Sequence, residues 1–121
     1  YIKEAGEKKF AIIDAGMNDL IRPSLYEAWH KVREVEEGDV ESETYDLAGP
    51  VCETGDILAR DRSLKIQPND YLVFMDVGAY GSVMSSNYNS RLKPAELLVT
   101  KDIAKVIKRK ENFEDLIALE S

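Results

Sequence analysis

The first fourteen residues read Tyr1-Ile2-Lys3-Glu4-Ala5-Gly6-Glu7-Lys8-Lys9-Phe10-Ala11-Ile12-Ile13-Asp14. Two runs of β type, residues 1–4 and 9–14, flank a short polar segment that contains Gly6. Such a spacing is typical of a β-hairpin. The segment therefore predicts two antiparallel strands joined by a short turn.

Further strand signals follow along the chain. Residues 41–48 alternate moderately and end at Gly49-Pro50, and residues 57–60 and 64–66 are two short strand candidates on either side of Asp61-Arg62-Ser63. Residues 71–75, Tyr-Leu-Val-Phe-Met, form a continuous apolar run, which suggests a strand buried on both faces. Residues 96–100 and 104–108 pair naturally across Lys101-Asp102 as a second hairpin.

Helix signals are few. Pro23 favours one short helical turn through Tyr26 to Trp29, and small and polar residues over 79–89 favour a loop or short helix lying over a site. Near the end, Asn112 can cap a helix whose first turn carries acidic residues. Many short strands, several turns and one terminal helix together predict a mostly β barrel.

Composition places limits on size and partners. The 121 residues, 44% hydrophobic and 32% charged, suit a single globular domain over 1–121. The net charge of −7 argues against a nucleic-acid partner, because such binding rests on clustered Lys and Arg. Since no apolar run approaches the roughly 18–20 residues of a membrane span, no membrane association is predicted. The single cysteine excludes an internal disulfide and favours a reducing cytoplasm.

The dipeptide Cys52-Glu53 is the strongest chemical signal. Gly49 and Pro50 place it on a turn, and a glutamate beside the cysteine is unfavourable in a core. A thiol there can donate a proton or act as a nucleophile, whereas the alternative is a buried, inert cysteine. A cysteine hydrolase would also need a base, and nothing in the sequence connects His30, the only histidine, to Cys52.

Arg22 and Tyr26 are four residues apart around Pro23, so one helical turn would project both from the same face. An arginine fork with a phenol suits a carboxylate. Glu53 can accept a hydrogen bond from an ammonium group, so the three residues together would recognise an amino-acid group of a small-molecule substrate. The alternative is an ordinary surface salt bridge.

Five short stretches place reactive or cationic side chains beside Gly or Pro, an arrangement that favours sites on turns. They are Asp14-Ala-Gly-Met-Asn18, Arg22-Pro-Ser-Leu-Tyr26, Gly49-Pro-Val-Cys52-Glu53, Asp76-Val-Gly-Ala-Tyr80-Gly81 and Ser86-Asn87-Tyr88-Asn89-Ser90-Arg91. Together they resemble the C-terminal domain of pyridoxal-phosphate decarboxylases of the alanine-racemase-like type. The resemblance covers essentially the whole chain.

That resemblance implies a Greek-key-like β-barrel with short helices and a C-terminal helix. It implies that Cys52 is the acid that protonates the carbanion left by loss of carbon dioxide, acting across a homodimer interface. It further implies that Arg22, Tyr26 and Glu53 hold the distal amino-acid centre of diaminopimelate, and that Tyr80 binds the phosphate of pyridoxal phosphate and approaches the substrate. The implied reaction converts meso-2,6-diaminopimelate to L-lysine and carbon dioxide in lysine biosynthesis.

The resemblance also implies a fragment. The family's N-terminal β/α barrel carries the Schiff-base lysine and a glycine-rich phosphate loop, and its β-barrel takes one strand from the start of the full chain. No lysine of this chain matches the family's Schiff-base lysine motif, so the fragment alone is expected to be inactive. No metal site is predicted. Two alternatives stay open: a family member acting on ornithine, arginine or carboxynorspermidine, or a stand-alone, non-catalytic β-barrel module. Ornithine has no distal carboxylate for Arg22 and Tyr26, and in the family an Asp usually follows the Cys in enzymes for that substrate. Glu53 with Arg22 therefore favours diaminopimelate.

Overall fold

The computed structural model of the protein describes residues 1–120, and within them the chain forms mostly strands with few helices. The strands are β1 (Ile2–Ala5), β2 (Lys8–Ile12), β3 (Val32–Glu34), β4 (Glu43–Ala48), β5 (Ile57–Leu64), β6 (Leu72–Phe74), β7 (Glu96–Thr100) and β8 (Ile103–Lys108). The helices are α1 (Arg22–Tyr26) and α2 (Phe113–Ile117), and two 3₁₀ turns span Ser82–Met84 and Tyr88–Ser90. The predicted mostly β class is confirmed.

The strands of the described chain form three sheets. The largest has the order β1-β2-β4-β5, in which β1–β2 and β4–β5 are antiparallel and β2–β4 is parallel. The predicted first hairpin is confirmed, with Gly6 at a φ of +63° in its turn, where glycine is favoured. The antiparallel pairs β3–β6 and β7–β8 form the two smaller sheets, and the second confirms the predicted hairpin.

The core lies between the large sheet and the β3–β6 sheet. Its buried members come from three strands of the large sheet and the segment after β5: Ala11, Tyr45, Leu47, Ala59, Leu64 and Ile66. Val32, Leu72 and Phe74 of the β3–β6 sheet pack against this cluster. The core therefore fixes β4 and β5, whose connecting loop carries Cys52.

The predicted break at residues 61–63 is wrong, because one strand, β5, runs through it from Ile57 to Leu64. Lys65 and Ile66 of the second strand candidate lie beyond the end of β5. Asp61 has a φ of +51°, and the β4–β5 register shifts between the Tyr45 and Leu47 pairs. The carboxylate of Asp46 accepts a hydrogen bond from the Asp61 backbone N–H at 2.8 Å. At the bulge, a hydrogen bond from a side chain thus takes the place of a backbone hydrogen bond between β4 and β5. The strand therefore continues through a polar segment that interrupts the hydrophobic pattern.

The prediction that residues 71–75 are buried on both faces was also wrong. β6 pairs only with β3, and Tyr71 is 81% exposed. Leu72 and Phe74 face the core while Val73 between them points outward. A continuous apolar run therefore belongs to a strand with only one buried face. Periodicity alone does not distinguish such a strand from one that is buried on both faces.

Both short helices form near the predicted positions. Pro23 lies in the first turn of α1, which ends at Tyr26 rather than Trp29 because Glu27 adopts a left-handed φ of +54°. Asn112 caps α2 in a reciprocal capping box with Asp115. Among residues 1–120 no helix has the length and apolarity needed to cross a membrane.

Candidate active site

Cys52 and Glu53 lie on the loop between β4 and β5, as the sequence predicted. The Cys52 thiol is free and exposed, and the Glu53 side chain is exposed beside it. Both side chains are therefore available to a ligand on a loop that follows a buried strand.

A buried carboxylate fixes the shape of that loop. Asp56 is 1% exposed and accepts hydrogen bonds from the backbone N–H groups of Met17 and Val51, both at 2.6 Å. The Gly49 N–H donates to the Asp56 carbonyl at 2.8 Å, and a Cβ on Gly49 would collide with the Asp56 carboxylate. One carboxylate thus joins the loop after β2 to the loop that carries Cys52.

Helix α1 presents Arg22 and Tyr26 to the same region. The guanidinium carbon of Arg22 lies 5.6 Å from the centre of the Tyr26 ring and 5.5 Å from the centre of the Tyr80 ring. These are cation–π distances. In addition, the hydroxyl of Ser24, in the middle of α1, donates a hydrogen bond to the carbonyl of Gly55. The helix is therefore attached both to the Tyr80 turn and to the Cys52 loop.

Tyr80 occupies a left-handed backbone position, with a φ of +61°, and the residue is 59% exposed. Gly81 follows it so closely against Val77 that an added Cβ would collide with the Val77 carbonyl oxygen. The turn thus requires glycine at position 81 and directs the phenol outward. Among residues 1–120 the Tyr80 hydroxyl has no hydrogen-bond partner, which leaves it free for a ligand.

Glu53 is in contact with Tyr88, a residue of the fifth stretch to which the sequence assigned no chemical role. The Tyr88 hydroxyl donates a hydrogen bond to Glu53 Oε2 at 3.0 Å. This hydrogen bond, together with the nearby negative charge, raises the pKa of the Tyr88 phenol above its ordinary value. The phenol therefore stays protonated and remains a donor at neutral pH.

The loops around the site are held together by Asn18 and Arg91. Asn18 is 2% exposed, and its side-chain oxygen accepts a hydrogen bond from Arg91 Nε at 2.8 Å. Arg91 Nη2 donates to the carbonyl of Asp14 at 2.6 Å, and the Ser86 N–H donates to the Asn18 carbonyl at 2.9 Å. The first and last of the five sequence stretches are therefore directly connected.

The structure brings the predicted residues into two contact groups. Arg22, Tyr26 and Tyr80 form one, and Glu53 with Tyr88 forms the other, while Ser24 joins α1 to the loop that carries Cys52 and Glu53. Sequence reasoning missed the structural importance of Asp56, Arg91 and Tyr88. The latter two lie within the fifth stretch, but only their hydrogen bonds distinguish them from neighbouring polar residues.

The only histidine plays no part in this region. His30 is 8% exposed, and its Nδ1 lies 3.2 Å from the Met75 carbonyl oxygen. Within the described chain Cys52 and His30 share no hydrogen bond. Over the same residues, no group of three His, Cys, Asp or Glu side chains is placed to hold a metal ion.

Comparison with known proteins identifies the family. Residues 1–78 match the model of the family "Pyridoxal-dependent decarboxylase, C-terminal sheet domain". The match covers more than half of the chain, so the chain belongs to this family. It includes Arg22, Tyr26, Cys52 and Glu53 and ends before Tyr80.

Several relatives have a more specific name. The chain is 50% identical over 121 residues to the diaminopimelate decarboxylase of Pseudomonas aeruginosa, covering 100% of this chain and 29% of the relative. A crystal structure of diaminopimelate decarboxylase from Helicobacter pylori complexed with L-lysine has a TM-score of 0.90 and 45% identity, covering 99% of this chain and 29% of that one. The corresponding structure from M. jannaschii in complex with L-lysine has a TM-score of 0.94 and 42% identity, covering 100% and 28%. The chain thus spans less than a third of the length of these proteins.

Proposed function

We propose that this chain is the C-terminal domain of a diaminopimelate decarboxylase, which converts meso-2,6-diaminopimelate to L-lysine and carbon dioxide. The observation that carries the proposal is the position of Arg22 between two exposed phenols, on a helix attached to the Cys52 loop. The identity to decarboxylases of that name extends over the whole chain and supports the same assignment.

Substrate recognition rests on two opposite charges at separate positions. The guanidinium of Arg22 and the phenol of Tyr26 bind the distal carboxylate of the substrate, because a planar fork and a hydroxyl supply several donors to one anion. The carboxylate of Glu53 accepts a hydrogen bond from the distal ammonium group. A substrate with an amino-acid group at its far end satisfies both positions.

Cys52 is the proton donor in this proposal. Its thiol is exposed on a loop that Asp56 holds in place. Proton transfer to the carbon that has lost carbon dioxide requires a donor within hydrogen-bond reach of that carbon, so the rigidity of the loop matters as much as the acidity of the thiol.

Tyr80 is the residue of this chain that fits pyridoxal phosphate, at the phosphate end of the cofactor. Tyr80 presents a hydroxyl without a partner among the described residues on a tight, glycine-containing turn, which suits a phosphate oxygen. Pyridoxal phosphate, when bound, supplies the electron sink that permits decarboxylation. The lysine that attaches it belongs to the N-terminal β/α barrel, outside this chain, so the remaining contacts come from there.

Assembly with further protein is supported by exposed apolar side chains. The β7–β8 hairpin exposes apolar residues on both strands: Leu97, Leu98, Val99, Ile103, Val106 and Ile107. Exposed apolar surface of this extent is typical of an interaction site. We propose that the N-terminal domain covers this hairpin in a cytoplasmic homodimer in which Cys52 and Glu53 enter the partner's site.

The barrel itself is proposed to close with a strand from outside this chain. A groove of about 410 Å³ lies between the first hairpin and the segment around β6, where Ile2, Ile13 and Phe74 line it. β1 is an edge strand of the large sheet, so its outer backbone groups are open to another strand. An added strand there would join two of the three sheets.

The experiment is an assay of the full-length protein with pyridoxal phosphate. We expect release of carbon dioxide and formation of L-lysine from meso-2,6-diaminopimelate, with much lower kcat/KM for ornithine and arginine. Turnover of ornithine equal to that of diaminopimelate would instead support the alternative substrate. Binding without turnover of any amino acid would support a non-catalytic module.

A further inference from the structure

The hydrogen bond between Tyr88 and Glu53 joins two segments that are distant in sequence. Glu53 lies on the β4–β5 loop, whereas Tyr88 begins the second 3₁₀ turn, and the Tyr88 hydroxyl donates to Oε2 alone at 3.0 Å. Glu53 Oε1 accepts no hydrogen bond from residues 1–120. One carboxylate oxygen is thus fixed by the protein while the other stays available.

The turn that carries Tyr88 is anchored independently of Glu53. The side chain of Asn87 donates to the Arg91 carbonyl at 3.0 Å and to the Glu111 carboxylate at 2.6 Å. Arg91 is in turn bonded to the buried side chain of Asn18. Several well-formed contacts therefore hold the turn on both sides of Tyr88.

Glu53, unlike the turn that carries Tyr88, is held by few contacts. Its side chain is exposed, and within the described chain the Tyr88 hydroxyl is its one side-chain hydrogen-bond partner. A glutamate with a free side chain samples many rotamers and loses that freedom when it binds a ligand. Because the anchored partner is Tyr88, the direction of influence runs from Tyr88 to Glu53.

We propose that Tyr88 is a positioning residue that determines specificity for a substrate with a distal ammonium group. It holds Glu53 by Oε2 in the rotamer that leaves Oε1 for that ammonium. This inference rests on the proposed function, in which Glu53 is the acceptor. A phenol suits the task because it donates one hydrogen bond without neutralising the carboxylate.

The test compares two substrates in the full-length enzyme with pyridoxal phosphate. 2-Aminopimelate has the carbon chain and the distal carboxylate of diaminopimelate but no distal amine. In Tyr88→Phe we expect kcat/KM for meso-2,6-diaminopimelate to fall roughly 3- to 10-fold, mainly through KM, which is the range for loss of one hydrogen bond. For 2-aminopimelate we expect less than about a twofold change.

A double variant shows whether the effect passes through Glu53. In Glu53→Gln, adding Tyr88→Phe is expected to cause no further loss on diaminopimelate, because residues that act as one unit are not additive. Thr54→Ala is the control, since it removes an exposed hydroxyl from the residue next to Glu53. It should change kcat/KM for neither substrate.

The outcomes separate the inference from the proposed function. Equal loss on both substrates in an active enzyme, or full additivity with Glu53→Gln, would overturn the positioning role alone. A wild-type enzyme that does not decarboxylate diaminopimelate would overturn the proposed function and this inference with it.

Discussion

The guanidinium carbon of Arg22 lies 5.5 Å from the centre of the Tyr80 ring, although the two residues belong to a helix and a turn that are far apart in the chain. The same guanidinium lies 5.6 Å from the Tyr26 ring. Because these contacts use the faces of the rings, the N–H fork of Arg22 and both phenol hydroxyls remain available for an anion. Such an arrangement suits a carboxylate or a phosphate, as we propose for the substrate and the cofactor.

Replacing Arg22 should therefore discriminate between substrates. In the full-length enzyme, Arg22→Ala is expected to lower kcat/KM for diaminopimelate roughly 30- to 800-fold, since truncating one partner of a buried charge pair costs about 2–4 kcal/mol. Lysine or ornithine turnover should change far less, because neither carries a distal carboxylate.

Arg33→Ala is the control for Arg22, because Arg33 lies exposed on β3. It should leave the kinetics of both substrates unchanged. Equal losses for diaminopimelate and ornithine in Arg22→Ala would indicate that Arg22 supports the fold and not the substrate.

Cys52→Ala tests the proton donor. We expect kcat to fall roughly 10²–10⁴-fold, the usual contribution of a positioned acid, while the absorbance of the bound cofactor is retained. Serine at this position should rescue little, because a hydroxyl is a much weaker acid than a thiol. Thr54→Ala, at an exposed position on the same loop, is the control. Near-normal turnover by Cys52→Ala would remove the thiol from the mechanism.

Asp56→Asn tests the loop that carries Cys52. The amide presents one oxygen where two backbone N–H groups now bind a carboxylate, so one buried donor loses its partner. The free energy of unfolding should fall by about 1–3 kcal/mol, measured by urea denaturation. Asp61→Asn is the control, because Asp61 is exposed and asparagine tolerates its left-handed φ. Equal effects of the two variants would contradict a specific role for Asp56.

The C-terminal helix should show a defined response to acid. A side-chain hydrogen bond from Arg109, followed by one from the backbone N–H of Asn112, lowers the pKa of Asp115 from 3.8 to about 2. Because the folded-state pKa is depressed, the stabilisation is complete above about 3.8 and is lost as the pH falls through about 2. At a pH near 3 the Asp115 amide should thus remain protected from hydrogen exchange.

In Arg109→Gln the pKa of Asp115 should move toward its ordinary value, and protection near pH 3 should decrease. Lys110→Gln removes a charge from the neighbouring residue without touching Asp115 and should have no such effect. Identical hydrogen exchange of the Asp115 amide in both variants would show that the contact with Arg109 does not control the titration of the Asp115 carboxyl group.

The parts of the fold that sequence reasoning predicted correctly are those encoded locally. The hairpin around Gly6, the hairpin before α2 and the Asn112 cap each depend on a few adjacent residues. The continuity of β5 depends instead on Asp46 bonding to the Asp61 backbone across the sheet. No pattern within residues 57–66 contains that information.

The candidate site divides in the same way. Residue types and turns indicated Arg22, Tyr26, Cys52, Glu53 and Tyr80, and the resemblance supplied their roles. Asp56 and Tyr88 became visible only through contacts between loops. An aspartate after glycine and a tyrosine among asparagines are both common in ordinary turns, so sequence patterns alone assign neither residue a specific contact.

The central claim is that Cys52 and Glu53 act in a site whose cofactor is held by the other subunit. Subunit complementation tests it most directly: full-length Cys52→Ala is mixed, under reversible dissociation, with a variant lacking the cofactor-binding lysine of the N-terminal domain. Each variant alone should be nearly inactive. If sites are shared in a two-fold dimer, random reassociation of equal amounts should restore about a quarter of wild-type decarboxylation. Absence of any recovery, in a sample shown to contain the mixed dimer, would contradict the shared site.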